Sequence, residues 1–278
     1  MKKQLLPALL LAVLLAGCGR ERADGLSGAV NLDGSTAMSG VMAALQEAFR
    51  ERESGVRINC SGSGSGAGVE LALAGTADIG LSSRKLTEEE ISRGAVGVTL
   101  ALDGVAVIVH PDNPLTELSR EQLAELFTGR AGRWKDAGGE DRPVAVYGRE
   151  AGSGTRTAFE AALGVTDRCR YTNEYCSTGD VIGNVASNPN AIGYASLSAV
   201  GDAAAVVAVD GIACTLETLR DGSYPIQRPF LLVVRRDAAL GEAAGAFLRF
   251  AVSEEAEAYL NAAGVAAPER GKRYEADR

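Results

Sequence analysis

The sequence predicts an α/β fold with a parallel sheet whose ligand sits at the carboxyl ends of the strands. Two observations carry this prediction. A strand–loop–helix unit recurs along the chain, and its loops share one small, hydroxylated composition. The clearest copy runs from Pro143 to Leu163. Pro143-Val144-Ala145-Val146-Tyr147 reads as a short buried strand, and Thr155, Phe159, Ala162 and Leu163 fall at helical spacing. The loop between them holds Arg149, Glu150, Gly152, Ser153 and Gly154. Its glycines let the backbone approach a ligand, Ser153 and Thr155 offer hydroxyls, and the free N–H groups of the helix start point the same way. Arg149 adds a planar cationic fork, so the unit suits an anion.

The other elements follow in order. Ala29 to Leu32 is a strand that runs into the turn Asp33-Gly34-Ser35-Thr36, and Val41, Met42, Leu45 and Phe49 mark a helix. Val56 to Cys60 alternates as a second strand, ends at the Gly/Ser run 61–68, and passes into a helix beginning near Val69. Ala77 to Gly80 is a third strand, followed by Leu81-Ser82-Ser83-Arg84, and Thr87 with Glu90 forms a capping box. Val105 to His110 is a continuous apolar strand broken by Pro111 and Pro114. Ser119 with Gln122 caps a helix carrying Leu123, Leu126 and Phe127. Residues 184–197 read as a turn and a short buried strand, and Phe230 to Val234 as an apolar strand returning to the first sheet. Residues 241–264 read as helical, with Phe247, Phe250, Ala251, Ala258 and Leu260 inward. The apolar runs near 105–110 and 230–234 are candidate crossovers between two lobes.

The 278 residues are 46% hydrophobic and 23% charged, a globular composition long enough for one large or two medium domains. The start is a targeting segment: Lys2 and Lys3 precede an apolar run from Leu5 to Ala16, too short to span a bilayer, and then Leu15-Ala16-Gly17-Cys18. That tetrad resembles the bacterial lipobox, which would make Cys18 the lipidated first residue after removal of residues 1–17, with a charged tether over 18–26. Without the leader, 26 basic residues face 36 acidic ones, which argues against nucleic acid as a partner. Cys60, Cys169, Cys176 and Cys214 then remain, an even number in an exported chain. Cys169 with Cys176 is the favoured disulfide because the two are close in sequence, leaving Cys60 with Cys214, but four cysteines allow three connectivities.

Four loops share the anion chemistry: Ser35-Thr36, Ser63 to Ser65, Ser82-Ser83, and Arg149 with Ser153-Gly154-Thr155. A desolvated tetrahedral oxyanion, able to accept many hydrogen bonds, explains all four together. Enzymatic readings fare worse. The one histidine, His110, reads as a turn residue, so a Ser-His-Asp triad and a multi-histidine metal site both lack their parts. The Gly/Ser run lacks a P-loop lysine. Trp134 and Tyr147 read as packing residues. Asp78 and Glu150 are the carboxylates nearest the loops; either could orient an arginine, and Glu150 is read as solvated.

With these residues in hand, the chain resembles the phosphate-binding lipoproteins of bacterial high-affinity phosphate ABC importers. The carriers are GSTAM at 34–38, GSGSGAG at 62–68, ADIGLSSR at 77–84, GREAGSGTRTAFE at 148–160, SNPNAIGYASL at 187–197 and DGSYPIQRPFLLVV at 221–234. The resemblance implies a two-lobed, type II periplasmic-binding fold, each lobe a mixed, mostly parallel sheet flanked by helices, with residues 27–106 and 229–278 in one lobe and 107–228 in the other. It implies a non-enzymatic, monomeric, extracytoplasmic receptor held to the cell membrane by its lipid, without cofactor or metal, that delivers inorganic phosphate to permease subunits. Another tetrahedral oxyanion (sulfate, molybdate or tungstate) is the alternative ligand, and an exported phosphatase the more distant reading. Carried over by position, the phosphate donors are Ser35, Thr36, the Ala37 N–H, Ser65, Arg149, Ser153, Gly154 and Thr155. Two positions depart from the family pattern. Ser83 stands where some members have an aspartate that accepts the phosphate's proton, and Ala151 where a carboxylate steadies the arginine. A hydroxyl at 83 can still accept, but it repels sulfate less than a carboxylate does.

Overall fold

A computed structural model describes residues 25–268. The leader, Cys18 and nearly all of the 18–26 tether lie outside the described residues, and no described helix is long and apolar enough to cross a membrane.

The first lobe opens with β1 (Ser27–Gly34), which turns through Thr36–Met38 into α1 (Ser39–Arg52). Next come β2 (Gly55–Ser61), α2 (Ser65–Leu73), β3 (Ile79–Ser82) and α3 (Glu88–Ser92), with β2 and β3 both parallel to β1. The 15-residue β4 (Ala95–Val109) then leaves the lobe. The second lobe holds β5 (Glu117–Leu118), α4 (Arg120–Phe127), β6 (Ala145–Arg149), α5 (Gly154–Ala162), β7 (Asn173–Tyr175) and α6 (Thr178–Ser187). It continues through β8 (Ala191–Ser196), α7 (Leu197–Val200), β9 (Ala205–Val209) and α8 (Leu216–Arg220). The chain returns along β10 (Gln227–Arg235) and ends in α9 (Glu242–Ala251) and α10 (Glu257–Ala262).

The strand order is β2-β1-β3-β10-β4-β8-β6-β7, with β9 on β4 and β5 on β9. The sheet is mixed, as the resemblance implies: β10 runs antiparallel to β3 and β4, and β4 antiparallel to β8 and β9. These antiparallel neighbours are the consequence of two lobes sharing strands. The first half of β4 pairs with β10, and its second half with β8 and β9. Two cores result. In the first lobe Phe49 meets Phe247 edge-on at 5.4 Å, and α2 buries Val69 and Ala72 on the opposite face of the sheet. In the second, Phe159 stacks on Tyr194 at 4.1 Å and meets Phe127 edge-on at 4.6 Å.

Both predicted capping boxes form, Thr87 with Glu90 and Ser119 with Gln122. Several expectations need correction. The runs at 105–109 and 230–234 lie inside the lobes; the chain crosses just before each, near Asp103-Gly104 and Gln227-Arg228. α2 begins at Ser65, not near Val69, because Gly68 lets the helix lie on β1: a Cβ there would be 2.6 Å from Asp33 O. Residues 178–187 form a helix, so the turn expected from residue 184 starts only after Ser187. The C-terminal stretch is two helices, and the break after Ala251 exposes Ala258 and buries Ala256 instead. All four described cysteines are free thiols, so neither expected disulfide forms. Cys60 lies on β2 of the first lobe, whereas Cys214 is buried in the second beside Tyr224. Cys169 is half-buried near Tyr171, while Cys176 is exposed at the head of α6.

Candidate functional site

The four hydroxylated loops converge where the lobes meet. Gly34 ends β1 with φ 145, a backbone that favours glycine, and its Cβ would strike the Leu81 backbone. That close approach lets the Ser35 N–H reach Leu81 O at 2.9 Å, which sets the first loop against the end of β3. Ser35 Oγ caps the following turn by accepting from Ala37 N–H at 3.3 Å, so the Ala37 N–H has a local partner. Ser35 Oγ donates to Ser83 Oγ at 2.8 Å. Ser65, the first residue of α2, accepts from Ser83 N–H at 3.0 Å, and the Ser65 and Ser83 hydroxyls lie 3.2 Å apart. All three serines are buried.

The second lobe supplies the facing surface. Ser153 is the N-cap of α5, accepting from Arg156 N–H at 3.4 Å, and Gly154 and Thr155 form its first turn. Gly154 presses on the serines: a Cβ there would sit 2.7 Å from Ser83 Oγ and nearer still to Ser65 Oγ. Gly66 N–H donates to Gly152 O at 3.2 Å, a second link between the lobes. Thr155 Oγ1 is buried without a hydrogen-bond partner, a hydroxyl with capacity left for a ligand.

Arg149 is the last residue of β6, only 2% exposed, and fixed from every side. Its Nε and one terminal nitrogen donate to the two Glu150 oxygens at 2.9 and 2.8 Å, and the other terminal nitrogen to Thr178 Oγ1 at 2.9 Å. The Tyr175 and Cys176 carbonyls accept from it as well. Glu150 is therefore not merely solvated; it orients the arginine, a task the carboxylate-free Ala151 leaves to its neighbour. Asp78 does not take part: it accepts from Asn31 N–H at 2.8 Å on β1. Trp134 and Tyr147 are packing residues as expected, the indole donating to Asn190 O. His110 is a turn residue whose Nδ1 accepts from Asp112 N–H.

A family model described as a PBP superfamily domain matches residues 21–255. A chain from Clostridium perfringens, assigned as a phosphate ABC transporter substrate-binding protein and solved with bound phosphate, superposes with a TM-score of 0.84 at 36% identity, over 86% of this chain and 99% of that one. The chain belongs to this family of PBP-superfamily substrate receptors. An ABC-type phosphate transport receptor from Vibrio cholerae superposes with a TM-score of 0.71 at 33% identity, over 86% of this chain and 100% of that one. The phosphate-binding protein PstS of Bacillus subtilis is 29% identical over 219 residues, 75% of this chain and 69% of its own. These relatives are transport receptors rather than enzymes, and the two-lobed, type II fold of the family is the architecture described above.

Within this receptor fold, sequence reasoning missed three residues of the lobe junction. Thr178 opens α6 and touches both Arg149 and Thr36. Arg228 and Asp103 form a fully buried ion pair at the two crossing points, with Arg228 Nε and a terminal nitrogen donating to Asp103 Oδ2 at 3.0 and 2.8 Å. Ser196 Oγ donates to Asp103 Oδ1 at 2.7 Å. Burial pushes the Asp103 carboxyl above its ordinary value and Arg228 below its own, each opposed by the partner. The other terminal nitrogen of Arg228 reaches Ser83 Oγ at 3.2 Å. A signal was available in the sequence: an aspartate inside an otherwise apolar strand needs a buried partner, and Arg228 opens the other apolar strand.

Proposed function

We propose that this chain captures inorganic phosphate between its lobes outside the cytoplasmic membrane and hands it to the permease of an ABC importer, tethered by a lipid on Cys18 and acting as a monomer. Phosphate-binding relatives support the ligand class. The observation that carries the site assignment is the convergence of buried Ser35, Ser65 and Ser83 on the Gly154 turn of α5, with Thr155 Oγ1 left without a partner and buried Arg149 alongside. Thr36, the Ala37 N–H, Ser153 and the Gly154 N–H complete the proposed donor set.

The chemistry is that of an anion held by preorganised neutral donors and one oriented guanidinium. Glu150 pairs with Arg149, so the site carries little net charge, and the hydroxyls and the helix starts at Ser65 and Gly154 act together with the oriented guanidinium. The proposed jaws are the two lobes, which part near Asp103-Gly104 and Gln227-Arg228 rather than at the 106/107 boundary expected from the resemblance. Phosphate favours closure by as much as it binds the closed state better than the open one. Calorimetric titration of the ligand-stripped domain from residue 19 tests this: one-to-one phosphate binding is expected, weakened at least about a hundredfold in Arg149→Ala, which loses charge-assisted bonds. Unchanged affinity in a folded Arg149→Ala would refute the site.

A further inference from the structure

Arg149 is held by its backbone as well as by its side chain. β6 pairs with β8 only at Ala145 and Val146, so the ladder on that side ends before Arg149, whose peptide groups need other partners. Side chains supply them. The Arg149 N–H donates to Tyr194 Oη at 3.2 Å, and the Arg149 carbonyl accepts from a terminal nitrogen of Arg156 at 3.0 Å. A closed circuit joins these two contacts. The Tyr194 and Tyr171 hydroxyls lie 3.0 Å apart, Tyr171 Oη donates to Glu160 Oε1 at 2.9 Å, and Arg156 Nε donates to the same oxygen at 2.8 Å. The other Glu160 oxygen accepts from the Asp167 N–H at 2.8 Å, which fixes the carboxylate. The direction of each hydrogen follows. A carboxylate only accepts, so Tyr171 gives its hydrogen to Glu160, and Tyr194 must donate to Tyr171. A lone pair of Tyr194 is then left for the Arg149 N–H. Burial pushes both phenols up, which keeps both hydroxyls protonated. The rings are fixed too: Tyr194 stacks on Phe159, and the Arg156 guanidinium lies 4.9 Å from the centre of the Tyr171 ring. Gly148 makes room for the circuit, because a Cβ there would strike the Tyr171 ring.

We infer that Tyr194, Tyr171 and Glu160 are positioning residues for Arg149: their circuit fixes the main chain at the end of β6, from which the guanidinium reaches the anion. This rests on the proposed phosphate site. Glu150, Thr178 and two carbonyls orient the guanidinium itself, whereas the circuit holds the peptide groups on either side of its Cα. None of the three side chains belongs to the proposed donor set. Every member of the circuit lies in the second lobe, so it needs no contact with the first. A buried ionic circuit adds little stability over apolar packing of the same volume, so stability alone does not account for it. What it does specify is the place of one residue, since both of its ends fall on Arg149.

Calorimetric titration of the ligand-stripped protein with inorganic phosphate tests this in a double-mutant cycle. Tyr171→Phe keeps the ring and breaks the circuit at its middle. Tyr194→Phe removes the acceptor of the Arg149 N–H. Each is expected to weaken phosphate binding about fivefold to tenfold in the otherwise wild-type protein. In an Arg149→Ala background the same changes should shift affinity by less than about twofold, because the group they position is gone. A merely structural role would weaken binding equally in both backgrounds, so comparable losses overturn the inference. Unchanged phosphate affinity in either folded variant overturns it as well, and leaves the phosphate site standing. Failure of the wild-type protein to bind phosphate overturns the phosphate reading and the inference with it.

Discussion

Thr178 of the second lobe donates its backbone N–H to Thr36 Oγ1 of the first at 3.2 Å, and their hydroxyls lie 3.3 Å apart. Because Thr178 Oγ1 also accepts from Arg149, a single side chain ties the oriented guanidinium to the opposite jaw. Closure and arginine placement are thus linked through Thr178.

Thr178→Val keeps the branched shape and deletes the hydroxyl. It removes one bond between the lobes and one acceptor from Arg149, each worth about 1 kcal/mol. Phosphate affinity should fall about fivefold to thirtyfold, with the ligand-free melting temperature nearly unchanged, because each lobe keeps its own core. Calorimetry and a thermal melt would show this; a large loss of apo stability with normal affinity would contradict it.

Asp103→Asn leaves Arg228 buried without its counter-charge. Breaking such a pair costs about 3 kcal/mol or more. The variant should unfold at markedly lower denaturant concentration than the wild type. An unshifted midpoint would mean that solvent reaches the hinge.

The Arg84–Glu90 pair gives a pH-dependent prediction. Burial pushes the Glu90 carboxyl up, but hydrogen bonds from Arg84 and from the Thr87 N–H outweigh it and hold the group below its usual value. A carboxyl depressed in the folded state adds stability above its unfolded pKa of about 4.3, and that stability is lost as pH falls through the folded value. Glu90→Gln keeps a capping side chain but not the charge. It should cost about 1 kcal/mol at neutral pH and converge on the wild type at about pH 3. Parallel stability curves at both pH values would argue against the ion pair.

The thiols should differ in reactivity. Cys176 is exposed, whereas Cys214 is buried, its thiol pushed up to about 12 by burial and then by Asp103. Burial also pushes the Cys169 thiol up to about 11. A thiolate-specific reagent at neutral pH should label Cys176 first, and Cys169 and Cys214 only on unfolding. Four thiols titrating in denaturant without reductant would agree with the unpaired state; two would indicate a disulfide that the fold described here does not contain.

Much of this molecule is legible in one dimension. The strand–loop–helix repeats, the capping boxes and the Ser/Gly loops act over a few residues, so local periodicity and hydrogen-bond chemistry reveal them directly. Ser35, Ser65, Ser83 and Gly154 were found this way, and they meet. The sequence also determined which strands were apolar enough to be buried, and hence an α/β protein with its polar loops at the strand ends.

Only the tertiary structure decided which partners those residues have. Glu150 and Arg149 are adjacent in sequence, yet their pairing depends on the Tyr175 and Cys176 carbonyls brought alongside by β7. Asp103 and Arg228 are 125 residues apart, and their pair exists because β4 and β10 cross together between the lobes. Thr178 is unremarkable in sequence and becomes a bridge only when α6 points its first turn at Thr36. The four cysteines, paired on grounds of spacing, stay apart because the fold places Cys60 and Cys214 in different lobes. Burial and long-range contact fix these outcomes, and neither is encoded in the spacing of nearby residues.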